Sequence, residues 1–435
     1  MSKLPIEITT DQLNQLLSTP HEIILDIRPV EAYNGWSLQQ ETRGGHIKGA
    51  KSFPISWTHF IFEMQELLES KNILPHRSIT IYGYEDATIN KMAKLLIKNG
   101  FQHVKVYYHF IDEWSVNEDL PMEHLFNYKK LVFPQWLYSL LMVTREPNYT
   151  GKKVVICHAH YQNPKDYAEG HIPGAIPLDT LLLESSDTWN RRSPEELKTN
   201  LLNLGITCNT TVVLYGRFSH PNNDDPFPGS SAGHLGAIRC AFIMLYAGVK
   251  DVRVLNGGIT SWKSAGFEVS HKPCYPIVES DFGTNLPACP QWAVDVPEAK
   301  KILASPDGEL VSIRSWREFI GEVSGYHYIT KKGRIPGAIF GNCGSDAYHM
   351  ENYRNLDHTT REYHEIADMW RQAGITPNKQ LAFYCGTGWR GSEAFFNAWL
   401  MGWPKIAVFD GGWFEWSNNP NNPVETGEPI SIKEA

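Results

Sequence analysis

The stretch Leu381-Ala382-Phe383-Tyr384-Cys385-Gly386-Thr387-Gly388-Trp389-Arg390-Gly391-Ser392, continued by Glu393-Ala394-Phe395-Phe396-Asn397-Ala398-Trp399-Leu400, reads as a buried strand, a glycine-rich turn and a helix. Gly386 and Gly388 let the backbone curl so that successive N–H groups point inward, and the helix dipole adds partial positive charge at the same place. A thiol held there is favoured as a thiolate, which makes Cys385 a candidate nucleophile. Arg390 strengthens that effect if the loop turns its side chain inward.

Working outward from this stretch, the same pattern is found three times. Unalternating apolar strands end at Ile79-Thr80-Ile81-Tyr82-Gly83, at Val212-Val213-Leu214-Tyr215-Gly216 and at Ala382-Phe383-Tyr384-Cys385-Gly386. Earlier in each repeat stands a turn: His46-Ile47-Lys48-Gly49-Ala50, His171-Ile172-Pro173-Gly174-Ala175 and Arg334-Ile335-Pro336-Gly337-Ala338. Apolar strands precede these turns at Ile23–Arg28, Val154–Cys157 and Leu310–Arg314, and short amphipathic starts lie at Ile8–Leu17, Val132–Leu141 and, more weakly, Pro290–Ala293. The repeats close on Asp112-Glu113-Trp114, Gly257-Gly258-Ile259-Thr260-Ser261-Trp262 and Gly411-Gly412-Trp413-Phe414-Glu415-Trp416. Strands of about five residues alternating with helical stretches predict three tandem α/β domains, each a parallel sheet flanked by helices. Their expected spans are 1–126, 127–285 and 286–435, with Pro- and Gly-bearing connections near 118–131 and 264–290.

At 435 residues the chain exceeds the size at which one core keeps growing. With 42% hydrophobic and 20% charged residues it has the composition of a globular protein. A net charge of −8 with scattered Lys and Arg argues against nucleic acid or an anionic membrane as main partner. Seven irregularly spaced cysteines fit reduced thiols better than a disulfide framework. The N-terminus lacks an apolar leader and no stretch offers about eighteen consecutive apolar residues, so the expected location is the cytoplasm, or the periplasm if a leader was removed.

On the Cys385 loop, the two Ile-Pro-Gly-Ala turns and the Asp410-Gly411-Gly412-Trp413 segment, nearly the whole chain resembles the rhodanese sulfurtransferases, most of all the three-domain thiosulfate sulfurtransferases. The resemblance implies three rhodanese-like domains and sulfur transfer through a persulfide on Cys385. The sulfur would come from a small anionic donor, thiosulfate or 3-mercaptopyruvate, and go to cyanide, a thiol or a protein. A persulfide is an anion that inward amides stabilise, so no cofactor and no metal is needed. Gly386, Thr387, Gly388, Trp389 and Arg390 form the active-site loop under this reading, with Arg390 and Arg314 as donor-binding residues. Gly83 and Gly216 stand at the nucleophile position of the first and second domains and leave both inactive. Ser312 replaces the aspartate that the family often places two residues before the arginine, which leaves Arg314 without that acidic partner.

Several residues keep a second meaning. Trp389 either walls the pocket or packs on the neighbouring domain, and Gly321 to Gly333, with Tyr326 and Tyr328, either binds the anion or is a solvated loop. The insertion from Arg217 to Gly229 reads as an exposed loop. Cys157, His158 and His160 lack a further ligand at zinc spacing, and Cys157 is aligned with Asp26 and Ser312 as a strand-end cysteine. Cys343 reads as inert, with a resolving-thiol role as the alternative. Two other functions use the same loop: a persulfide carrier fed by a protein donor, and a cysteine-based phosphatase or arsenate reductase. The phosphatase loop holds five residues between cysteine and arginine, whereas only four separate Cys385 from Arg390.

Overall fold

The computed structural model describes residues 4–59, 64–144, 150–218 and 233–429. Two compact units are formed, Met1–Lys129 and Lys130–Ala435. The first unit holds one five-stranded parallel sheet, in the order Ile6–Glu7, His103–Tyr107, Ser78–Tyr82, Glu22–Asp26, Lys51–Ser52. The second unit holds two more. One runs Leu131–Val132, Asp251–Leu255, Thr211–Tyr215, Val154–His160, Ile176–Asp179 and the other Ala293–Val294, Ile406–Phe409, Gln380–Tyr384, Gly308–Ser312, Ile339–Phe340. All three sheets share one strand order and are parallel throughout, so the three predicted α/β repeats are real structural repeats.

The recurring turn has a common physical basis. Its first residue pairs antiparallel with the segment that closes its own repeat: His46 with Glu123, His171 with Ser270, Arg334 with Glu425. His46 stacks on Tyr33 at 3.7 Å and His171 on Tyr167 at 3.8 Å, while in the third repeat Arg334 lies 5.1 Å over Phe319 as a cation on a ring. The backbone N–H of the next residue donates to the tyrosine at the end of the central strand, Ile47 to Tyr82 and Ile172 to Tyr215. The closing tryptophans Trp114, Trp262, Trp413 and Trp416 are all buried.

Two sequence assignments shift. The opening helix of the third repeat is Val296–Ala304, beyond the Pro290–Ala293 stretch, which instead forms a short 3-10 turn and the start of an edge strand. The pairing register sets Asp26 opposite Tyr82, Ser312 opposite Tyr384 and His158 opposite Tyr215. His158, not Cys157, is thus the residue equivalent to Asp26 and Ser312, because the strand continues to His160 and a one-residue slip changes the face. Of the insertion in the second repeat, Arg217 and Phe218 are placed and residues 219–232 lie outside the described residues. Phe218 stacks between His234 at 4.3 Å and His358 at 4.8 Å. Among the described residues no helix is long and apolar enough to cross a membrane. All seven cysteines are free thiols.

Candidate active site

Cys385 follows the strand Gln380–Tyr384, and the helix Trp389–Leu400 begins four residues later. Gly388 caps that helix with φ +88°, a conformation open to glycine at little cost. The first helical bond runs from Ser392 N–H to the Gly388 carbonyl, so the amides ahead of it have no carbonyl of the helix to bind. The base of the loop is fixed by the Gly411-Gly412-Trp413-Phe414 segment. Trp413 N–H donates to the Cys385 carbonyl at 2.8 Å and Phe414 N–H to the Gly386 carbonyl at 2.9 Å. Gly412 has φ +53°, and a Cβ there would lie 2.6 Å from the Cys385 carbonyl oxygen, so only glycine fits. Cys385 itself is fully buried.

Arg390 turns away from solvent and pairs with Glu318 in a two-pronged contact, Nη1 to Oε2 at 2.9 Å and Nη2 to Oε1 at 2.8 Å. The same guanidinium donates to the Tyr326 hydroxyl at 2.8 Å, to the Asp346 carbonyl and to the Cys343 sulfur, both at 3.1 Å. Arg314 joins Glu318 from the other side, with Nε 3.4 Å from Oε1, and its Nη1 donates to the Gly333 carbonyl at 2.7 Å. Glu318 also accepts from Ser315 N–H and Oγ–H in a capping box. Burial alone would raise the Glu318 carboxyl, but Arg390 and then Arg314 outweigh it and hold the group at about 2. The acid missing at Ser312 is therefore supplied by Glu318, four residues after Arg314. Both arginines that the sequence offered as donor contacts are buried and committed to this carboxylate.

The stretch 321–333 is not a solvated loop where it meets the cysteine. Tyr326 lies against Gly386, where a Cβ would be 2.2 Å from its ring, and Tyr328 faces Thr387. Burial raises the Tyr326 hydroxyl well above its ordinary value, so it stays protonated. Cys343 is likewise pushed up to about 12 by burial, against the pull of Arg390, and stays a thiol.

The second repeat completes the surroundings, a contribution the sequence reading missed. Its excursion from Leu183 to Arg192 is closed by Arg192 N–H to Leu183 O and Ser185 N–H to Asn190 O, each 2.9 Å, and it lies on the third repeat. Trp189 stacks on Tyr328 at 5.3 Å, Trp389 Nε1–H donates to Glu184 at 2.9 Å, and Tyr161 meets the Trp389 ring edge-on at 6.1 Å. Trp389 thus both borders the site and packs on the neighbouring domain. Arg191 bridges to Asp295 at 2.9 Å and to Asp410 at 3.0 Å. Half-exposed rings of Tyr161, Trp189, Tyr328 and Trp389 stand beside the loop, a surface suited to an organic cation.

A family model described as a rhodanese-like domain matches residues 9–117, 161–265 and 295–419. Thiosulfate sulfurtransferase YnjE of Escherichia coli (strain K12) is 40% identical over 433 residues, covering 98% of this chain and 93% of the relative. Sulfur carrier protein TtuD of Thermus thermophilus is 29% identical over 269 residues, covering 60% of this chain and 87% of its own. Among solved structures, wild-type EanB superposes with a TM-score of 0.94 at 56% identity over 98% of both chains. An EanB variant in complex with hercynine has the same TM-score and identity, over 98% of this chain and 99% of that one. So does a variant with a cysteine persulfide in a tetrahedral intermediate state with ergothioneine, over 97% of this chain and all of the other.

Proposed function

Because the chain belongs to the rhodanese family and is a sulfurtransferase of three rhodanese-like domains, we propose that Cys385 carries sulfane sulfur as a persulfide and hands it to the imidazole ring of a histidine betaine such as hercynine. The observation that carries this reading is the 56% identity, over nearly the full length, to EanB chains solved with hercynine, with ergothioneine and with a cysteine persulfide. The aromatic surface beside the loop supports it, since a trimethylammonium group is held by ring faces rather than by an anion hole.

In the first half-reaction the Cys385 thiolate attacks the outer sulfur of thiosulfate, and the S–S bond breaks with sulfite leaving, or it attacks the thiol sulfur of 3-mercaptopyruvate, and the C–S bond breaks with the enolate leaving to take up the thiol proton as pyruvate. In the second, the imidazole carbon attacks the terminal persulfide sulfur. A C–S bond forms, the S–S bond breaks, and the electron pair returns to Cys385 as thiolate while the carbon-bound proton is lost. Sulfane sulfur is the oxidant, so no other is needed. Amides at the helix N-terminus stabilise the persulfide and then the thiolate. Tyr326, protonated and held by Arg390 against Gly386, offers a hydroxyl beside the loop that can orient the attacking ring by a hydrogen bond without protonating it. Arg390 and Arg314 brace the loop through Glu318 under this reading, and the donor meets the amides.

Intact-protein mass after incubation with each donor, followed by addition of hercynine and mass analysis of the small molecule, tests the proposal. Wild type should gain one sulfur and then lose it to form a thiolated betaine, and Cys385→Ser should do neither. A persulfide that passes to thiols or cyanide but never to hercynine would sink the betaine assignment. A persulfide formed only from a protein donor would mark a carrier instead.

A further inference from the structure

The inactive second repeat has a buried arginine aimed into the active one. Arg239 lies in the helix Gly233–Ala247, fully buried. Its Nε donates to Glu184 at 3.0 Å, Nη1 reaches Asp410 at 2.6 Å and Ser392 Oγ at 3.4 Å, and Nη2 donates to the Trp189 carbonyl at 3.0 Å. Asp410 and Ser392 flank the catalytic loop, one just before the Gly411-Gly412 support and the other in the first turn of the helix that Gly388 caps. A Cβ on Gly388 would stand 2.8 Å from the Asp410 carbonyl oxygen and 3.1 Å from Arg239 Nη1. The left-handed residue that turns the loop is therefore wedged between an element of its own domain and a guanidinium of the second. Glu184 adds a second link, accepting from Arg239 and from Trp389 Nε1–H together.

We propose that Glu184 and Arg239 of the inactive second domain are positioning residues for the Cys385 loop: through Gly388, Ser392, Asp410 and Trp389 they hold the loop amides in the geometry that stabilises the persulfide. This rests on the persulfide reading above and explains what an inactive domain contributes to it. Neither residue touches the sulfur. Asp410 is held below the usual carboxylate range, because Arg239 and Arg191 outweigh the effect of its burial. Glu184, with burial outweighing its share of Arg239, is raised to about 7. The other titratable groups facing Glu184 are Tyr161, Tyr328 and Cys240, all raised by burial and neutral near pH 7. Glu184 is thus the group of this cluster that titrates near neutrality.

The test compares wild type, Glu184→Gln, Arg239→Lys and Arg239→Met in the full chain. Single-turnover transfer from persulfidated Cys385 and steady-state kcat and KM for the donor are read, along with alkylation of Cys385 by iodoacetamide from pH 5.5 to 9. Glu184→Gln keeps the shape of the side chain and should lower kcat about tenfold with KM and Tm little changed. It should also remove an inflection near pH 7 from the alkylation profile. Arg239→Lys should recover part of what Arg239→Met loses. Lower Tm with unchanged kcat and an unchanged alkylation profile would overturn the proposal and leave a plain packing role. Absence of any wild-type persulfide would instead overturn the sulfur-transfer reading, and the alkylation profiles would still decide whether the clamp shapes the loop.

Discussion

The second and third repeats each build a five-stranded parallel sheet of the same strand order with a supporting diglycine, yet the third holds a thiol at the strand end and the second a glycine. Gly258 sits under Gly216 as Gly412 sits under Cys385: a Cβ would lie 2.5 Å from the Gly216 carbonyl oxygen in one and 2.6 Å from the Cys385 carbonyl oxygen in the other. Above that common base the repeats diverge. A Cβ on Gly216 would be 2.2 Å from the backbone carbonyl of Gly233, so the chain itself fills the place of a side chain. Beneath the loop, the third repeat carries Glu318 between two arginines, whereas the second carries His158 and His160, and His158 is held uncharged at about 3 by burial, reinforced by His160. The difference between the two strand ends is therefore more than one missing side chain. Backbone, charge and packing have all been rebuilt, and its helix now serves the neighbour through Arg239.

The sharpest way to break this comparison is to remove the charge that sets the third repeat apart. Glu318→Gln leaves Arg390 and Arg314 buried without their carboxylate, and should cost about 3–5 kcal/mol of stability and roughly a hundredfold in transfer rate. Urea unfolding and single-turnover kinetics would read both; a variant as stable and active as wild type would show that the arginines find other partners. The sign of its pH dependence follows from a depressed carboxyl. Stability from Glu318 is fully present above the unfolded value of about 4.3 and is lost as pH falls through about 2, so the acid limb of the melting curve should flatten in the variant.

A smaller effect is expected from trying to restore the second repeat. Gly216→Cys, in a Cys385→Ser background, should form no persulfide with thiosulfate and should destabilise the fold by about 1–3 kcal/mol, because backbone cannot yield to the new side chain as a flexible neighbour would. Any sulfur adduct on the new cysteine would mean the second loop is closer to a working one than its contacts imply. The smallest effect near neutral pH lies in His158, which tells only as the solution is acidified. Its folded value is depressed below that of the unfolded chain, so the unfolded state binds the extra proton and stability falls as pH drops from about 6.5 toward 3. The slope should reach at most about 1.4 kcal/mol per pH unit and should be absent in His158→Asn. An unchanged slope in the variant would mean that His158 is protonated in the folded protein.

The sequence by itself determined the three-fold repetition, the parallel α/β character of each repeat and the Cys385 loop. These depend on local signals: strand and helix periods, glycines where the chain must turn, and a thiol set just before a helix start. Register was legible only to within a residue, and at His158 one residue decides which face of the sheet a side chain occupies. Tertiary structure alone decided who neutralises whom. Glu318 and Arg390 are 72 residues apart, Arg239 and Ser392 153 apart, and Trp389 and Glu184 205 apart. A buried guanidinium needs a carboxylate wherever the fold brings one, and no spacing in the chain encodes which. That is why Arg390 reads from sequence as a donor-binding cation and in the folded protein stands paired with Glu318, and why the contacts of the second domain show only when its helix is seen against the loop of the third.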